Sequence, residues 1–182
     1  FITLCGCQLV HSFNVKSSAS ILNRTLFNNP YLWGALAAGL LLQVIILAIP
    51  ELMRILIDEQ GYEWEEAWDI TTQTFAYTNH TILAEALETW PISLMQSLLP
   101  RVYEIIEEIH RRFIGYVKMA SDRDEELLNR VMILRDGTVY MARLAIVGSF
   151  SVNGVAKLHS DILAERELKD FAQLYPSKFN NK

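Results

Sequence analysis

"VMILRDGTVYMARLAIVGSFSVNGVAKL", Val131 to Leu158, decides how the second half of this 182-residue chain folds. Asp136-Gly137 stands between runs rich in β-branched and aliphatic residues, the composition of a tight turn joining two antiparallel strands. The apolar run that follows, Met141 to Val147, fits a buried strand or a buried helix equally, because periodicity does not separate the two over so short a run. Next comes "GSFSVNGV", Gly148 to Val155, which has the glycines of a phosphate loop but lacks the Lys-Ser/Thr ending. It is read instead as a tight turn that lets one backbone segment approach another.

Outward from this stretch the pattern is mainly helical. Ser160 to Phe171 has helical spacing, and Ser121 or Asp122 is placed to cap a short helix over "DEELLNRV". The longest helical signal runs from about Ile92 to Met119. Leu98, Leu99, Val102, Ile105, Ile106, Ile109, Phe113 and Val117 form one apolar stripe, with Glu104, Glu107, Glu108, Arg111 and Arg112 largely off it. Pro100 is tolerated in a first turn, so the long helix is expected to start there. His110 falls among the charged residues and is expected to be solvated. "TFAYTNHT", Thr74 to Thr81, interrupts the helices with β-formers and a polar tip, where Asn79 and His80 offer groups suited to sugar hydroxyls, although on chemistry alone a structural role is expected of them. Two shorter helical patterns precede it: Leu52 to Gln60, stopped by Gly61, and Trp64 to Ile70. His80, His110 and His159 are too scattered to define a metal site.

The first fifty residues differ in kind. They contain Lys16 and Arg24 and no acid, whereas the rest of the chain holds the other 14 Lys and Arg and all 21 Asp and Glu. A shift that sharp marks a boundary near Pro50. The formal net charge of −5 argues against a nucleic-acid partner. Cys5 and Cys7 have no distant partner, which points to a reducing compartment. Tyr31 to Ile49 carries no charge and is long enough, at about 1.5 Å per residue, to be read as a transmembrane-like helix across a core of about 30 Å. The basic side is then expected in the cytoplasm.

Two resemblances add to this reading. "CQLVHSFNVKSS" and "LFNNPYLWGALAAGLLLQ" resemble the C-terminal membrane region of bacterial P-type cation-transporting ATPases of the calcium-pump type, covering about residues 1–46. That resemblance implies a cation-ligating role for Gln8. "AIPELMRILIDEQG", "EEAWDITTQTFAYTNHTILAEALETWP", "LLPRVYEIIEEIHRRF", "MARLAIVGSFSVNGVAKLHSDIL" and "YPSKFNNK" resemble, in order and spacing, the α-glucan phosphorylases over residues 47–182. The implied fold is α/β, a mainly helical part of the N-terminal Rossmann-like domain of GT-B type. The implied reaction transfers a glucosyl unit from α-1,4-glucan to phosphate, giving glucose 1-phosphate. It depends on pyridoxal 5′-phosphate, bound by a lysine outside this chain, in enzymes that usually form homodimers in the cytoplasm. Carried over by position, His80 contacts the sugar through its main-chain carbonyl, and Thr81, Asn153 and Val155 line the same glucose subsite. Ala84 and Val102 depart from the residues common in the family.

The two resemblances meet near Ile46 or Leu47, and the chain is expected to join two unrelated gene pieces there. It is expected to be a truncated part of the enzyme, without activity alone. The runner-up is a cation-transport piece carrying an unrelated tail.

Overall fold

A computed structural model describes residues 47–81, 87–121 and 124–181. The chain divides into two units, Phe1–Ala48 and Ile49–Lys182. The membrane reading of residues 31–49 falls almost wholly outside the described residues, and Gln8 lies outside them. No helix among the described residues is long and apolar enough to cross a membrane.

The second unit is mainly helical α/β. Helix α1, Ala48–Arg54, buries Ile49, Pro50 and Met53, and it runs on into one π turn, Ile55–Glu59. Gly61 ends the segment with φ of +74°, a value that favours glycine. Helix α2, Trp64–Thr74, leads into strand β1, Ala76–Asn79. After strand β2, Thr89–Pro91, and helix α3, Ile92–Leu98, comes the long helix α4, Pro100–Ala120. Helix α5, Glu125–Val131, strands β3, Leu134–Arg135, and β4, Thr138–Tyr140, and helix α6, Met141–Val147, follow. Strand β5, Ser151–Gly154, helix α7, Lys157–Ile162, a π turn, Leu163–Glu167, and helix α8, Lys169–Leu174, complete the order.

Helix α4 is the centre of the core. Val102, Tyr103, Ile105, Ile106, Ile109, Phe113 and Val117 are buried along one face, as the three-and-four spacing requires. Phe113 stacks on Phe171 of α8, with ring centroids 6.1 Å apart. On the solvent side Arg101 donates to both carboxylate oxygens of Asp58, at 2.8 and 2.6 Å, and so ties α4 to the π turn after α1. An exposed pair of this kind contributes about 1 kcal/mol at most.

Two expectations about this helix are corrected. Leu98 is 64% exposed, because the backbone of Leu99 leaves the helical region before Pro100 and splits α3 from α4. A stripe drawn through the break therefore misplaces its first member. His110 is half-buried: its Nδ1 accepts from the Leu134 amide at 3.4 Å, and burial lowers its pKa. The cap of α5 also differs from expectation. Asp124 accepts from the amides of Glu126 and Leu127, in place of Ser121 or Asp122.

The β3–β4 hairpin turns at Asp136 and Gly137, both with positive φ (49° and 71°), as a two-residue turn of this hand demands. Strand β2 pairs antiparallel with β4, so that the three form a sheet of order β2-β4-β3. Met141 to Val147, open between strand and helix in the sequence, is α6, with Met141, Leu144, Ile146 and Val147 buried. At its end Gly148 is backed by Ile49, since a Cβ there would meet Ile49 Cγ2 at 2.7 Å.

Strands β1 and β5 pair in parallel, Ala76 with Ser151 through Asn79 with Gly154. The C-terminal arm adds to the far side of β5: the Val152 amide donates to the Lys178 carbonyl, and the Asn180 amide to the Val152 carbonyl. The Lys178 ammonium donates to the carbonyls of Ile146 and Val147 at 3.2 and 2.8 Å and lies 4.3 Å from the Tyr175 ring centroid. It thus closes the C-terminus of α6, where a positive charge is favoured. Burial still dominates and pushes its pKa down to about 8.

Between about pH 8 and the ordinary lysine range, the unfolded chain keeps a proton that the folded chain has lost, so stability rises with pH. Urea midpoints are expected to climb from pH 8 to 9.5 in the parent chain and to lose that slope in Lys178→Met. Ile106, fully buried, is expected to cost about 2–5 kcal/mol on truncation to alanine. Leu98→Ala is expected to stay within about 0.5 kcal/mol in the same urea titration.

Candidate functional site

Parallel pairing brings the C-terminal ends of β1 and β5 to one edge. Thr78 lies opposite Asn153 and Asn79 opposite Gly154, so His80 and Thr81 leave the sheet beside Val155. Residues 80, 81, 153 and 155 therefore converge, as ligand-contacting residues do at the carboxyl ends of parallel strands. His80 is exposed, and Val155 is 58% exposed.

Asn79 takes the structural role that chemistry alone favours for it. It is 2% exposed, and its polar atoms are spent inside the protein: Nδ2 donates to the Tyr77 hydroxyl at 3.1 Å, and Oδ1 accepts from the Thr81 amide at 2.8 Å. That second bond is an Asx turn. Asn79 does not offer its amide to a ligand; it shapes the tip that carries His80. Tyr77, mostly buried, has its pKa raised by desolvation against the lowering effect of the Asn79 bond.

Across the sheet, Asn153 is fixed from two sides. Thr78 Oγ1 donates to its Oδ1 at 3.2 Å, and its Nδ2 donates to the Gly154 carbonyl at 2.8 Å. Gly154 then touches the start of α7, since a Cβ there would lie 2.8 Å from His159 Cγ and from the Ser160 nitrogen. The expected close approach of two backbone segments is thus located at Gly154. Two residues the sequence reading did not assign complete the turn: the Gly154 amide donates to Ser160 Oγ, and the Val155 amide to His159 Nδ1. The glycine five residues before a His-Ser pair was the available signal.

Beside the site a cavity of about 160 Å³ is lined by Asn79, Thr81, Arg130, Arg143 and Asp170, among others. Its charges are mostly committed. Arg130 is paired with Asp170 at 2.8 Å, and Arg143 donates to the Met132 carbonyl and lies over the Tyr140 ring at 4.0 Å. Elsewhere Trp64, Trp68, Phe113, Tyr116 and Tyr175 line an aromatic groove of about 320 Å³. Among the described residues no group of three His, Cys, Asp or Glu side chains can hold a metal ion.

Residues 45–182 match the family described as carbohydrate phosphorylase. The chain belongs to that family. It is 60% identical over 136 residues to the glycogen phosphorylase of Bacillus subtilis (strain 168), which covers 75% of this chain and 17% of that protein. It is 52% identical over 139 residues to the muscle forms of glycogen phosphorylase from Ovis aries and Homo sapiens, covering 75% of the chain and 16% of each. The chain thus spans about a sixth of the length of these phosphorylases. Residues 1–71 also match the C-terminus of cation-transporting ATPases, so residues 45–71 are claimed by both families. Packing bears on that overlap. Ile49 lies against Gly148, and Asp58 is paired with Arg101, both partners being deep inside the phosphorylase match.

Asn79→Ala removes both bonds that shape the tip, the one to the Tyr77 hydroxyl and the one from the Thr81 amide. It is expected to cost about 1–3 kcal/mol in urea unfolding. Amide exchange at Thr81 should quicken more than exchange in α4.

Proposed function

We propose that residues 47–182 are part of the N-terminal, Rossmann-like catalytic domain of an α-1,4-glucan phosphorylase of GT-B type. The parent reaction moves a terminal glucosyl unit to phosphate as glucose 1-phosphate. The observation that carries the reading is the convergence of His80, Thr81, Asn153 and Val155 at the carboxyl edge of one parallel strand pair. The His80 main-chain carbonyl, at a tip shaped by Asn79, serves as an acceptor for a sugar hydroxyl. Thr81, Asn153 and Val155 form the wall beside it, with the Asn153 amide already oriented by Thr78.

The family's pyridoxal 5′-phosphate supplies an acid through its phosphate. The described residues do not fit that group. Lys178, whose amine burial drives toward neutrality, is turned onto two main-chain carbonyls and a tyrosine ring. No step is therefore assigned to this chain through the cofactor. In this reading the chain supplies a sugar-facing surface, in the cytoplasm, of an enzyme that works on glucan and phosphate as a homodimer. Alone it transfers no glucosyl unit.

The match of residues 1–71 to the cation-transporting ATPases supports a second reading of the N-terminal part. There Gln8 faces a cation, residues 31–49 associate with a membrane, and residues 1–46 form a separate domain. The burial of Ile49 and Met53 with the phosphorylase part favours a junction just before them.

The test titrates the isotope-labelled chain with maltoheptaose and follows its backbone amides by NMR. Saturable shifts centred on His80, Thr81, Asn153 and Val155 are expected, with no phosphate-dependent release of glucose 1-phosphate. Shifts confined to the aromatic groove, or none at millimolar sugar, would reject the subsite. Long reads across the codons for Leu42 to Arg54 test the junction: separate parent genes are expected, and one unbroken expressed frame would overturn it.

A further inference from the structure

The turn from β5 into α7 is held from the helix side by two side chains that reach back to consecutive amides. Ser160 Oγ accepts from Gly154 at 2.9 Å and donates to the Ala156 carbonyl at 3.1 Å, so both of its roles are used. His159 Nδ1 accepts from Val155 at 3.2 Å. An N–H can donate only to a ring nitrogen that carries a lone pair, so Nδ1 is unprotonated in this arrangement. A neutral imidazole then carries its proton on Nε2. Nε2 is buried and has no hydrogen-bond partner among the described residues. Among the described residues the Val155 amide is the group that selects the tautomer.

Holding a buried N–H without an acceptor is costly. Gly154 leaves no space between strand and helix: a Cβ there would be 2.8 Å from His159 Cγ, 2.8 Å from the Ser160 nitrogen and 2.9 Å from the His159 carbonyl carbon. The ring position and the direction of the Val155 amide are therefore coupled. The Gly154 carbonyl in turn accepts from Asn153, so the same turn orients the amide that reaches across to Thr78.

We propose that His159 is a positioning residue for the sugar subsite: as the neutral, Nε2-protonated imidazole it fixes the Val155 amide, and through it the Asn153–Val155 turn. The purpose of the turn rests on the subsite reading above, whereas the positioning itself is measurable without sugar.

The experiment uses the full 182-residue chain with labelled histidine. At neutral pH the nitrogen shifts of His159 are expected to report an unprotonated Nδ1 and a protonated Nε2. The opposite tautomer, an averaged pair or an imidazolium would overturn the proposal. Three variants give the second readout. His159→Asn keeps an acceptor near the Nδ1 position, His159→Gln places its amide near the Nε2 position, and His159→Leu keeps neither. Exchange of the Val155 amide is expected to quicken about tenfold or more in the Gln and Leu variants and to stay within about threefold of the parent in Asn, while Ile106 and Leu128 are unchanged. Equal loss in Asn and Leu, or no change in any variant, would reject positioning through Nδ1. If the variants do not fold, the tautomer in the parent chain decides. Absence of maltoheptaose shifts alongside the expected tautomer and exchange would remove the subsite and leave the positioning.

Discussion

Parallel pairing of β1 with β5 is the constraint on which the rest of this unit depends. Thr78 and Asn153 touch although 75 positions separate them. Parallel neighbours cannot be joined by a tight turn, so everything between them must serve as connection and cover. Helix α4 lies within that connection and buries Val102, Tyr103, Ile105, Ile106, Ile109, Phe113 and Val117 along one face. The three-stranded sheet β2-β4-β3 closes part of the same connection, with Val139 fully buried.

Beyond β5 the chain returns to reinforce the pair. The C-terminal arm pairs with Val152, Asn180 exchanges hydrogen bonds with Ser151, and Lys178 fastens the end of α6. The short strands thus gain their definition from side chains of distant segments. The converging tips inherit that definition: Asn79 shapes one from within, and His159 and Ser160 hold the other from the following helix.

Local pattern exposed much of this fold and little of its fastening. The stripe from Val102 to Val117 was legible because one helical face is buried along its length. The Asp136-Gly137 hairpin was legible because its backbone needs positive φ at both positions. Met141 to Val147 was undecidable, since a short buried helix and a buried strand read alike in an unbroken apolar run. Leu98 and His110 were misplaced for opposite reasons. A proline broke the helix that would have buried the first, and a strand far along the chain covers the second. At the site, His80, Thr81, Asn153 and Val155 came from resemblance. No periodicity reports that Asn79 turns inward or that His159 reaches back four residues, because those contacts exist only once the strands pair.

Ile49 and Gly148 divide a single small volume, the isoleucine occupying the space that a side chain at 148 would need. The two positions lie far apart in sequence, at the entrance to the unit and at the approach to β5. In an alignment of relatives they should vary as one: a residue larger than glycine at 148 should appear mainly where 49 has been reduced to valine or alanine. That linked pair is also a marker of origin, because a segment preceding residue 49 that came from elsewhere would have no reason to keep step with position 148.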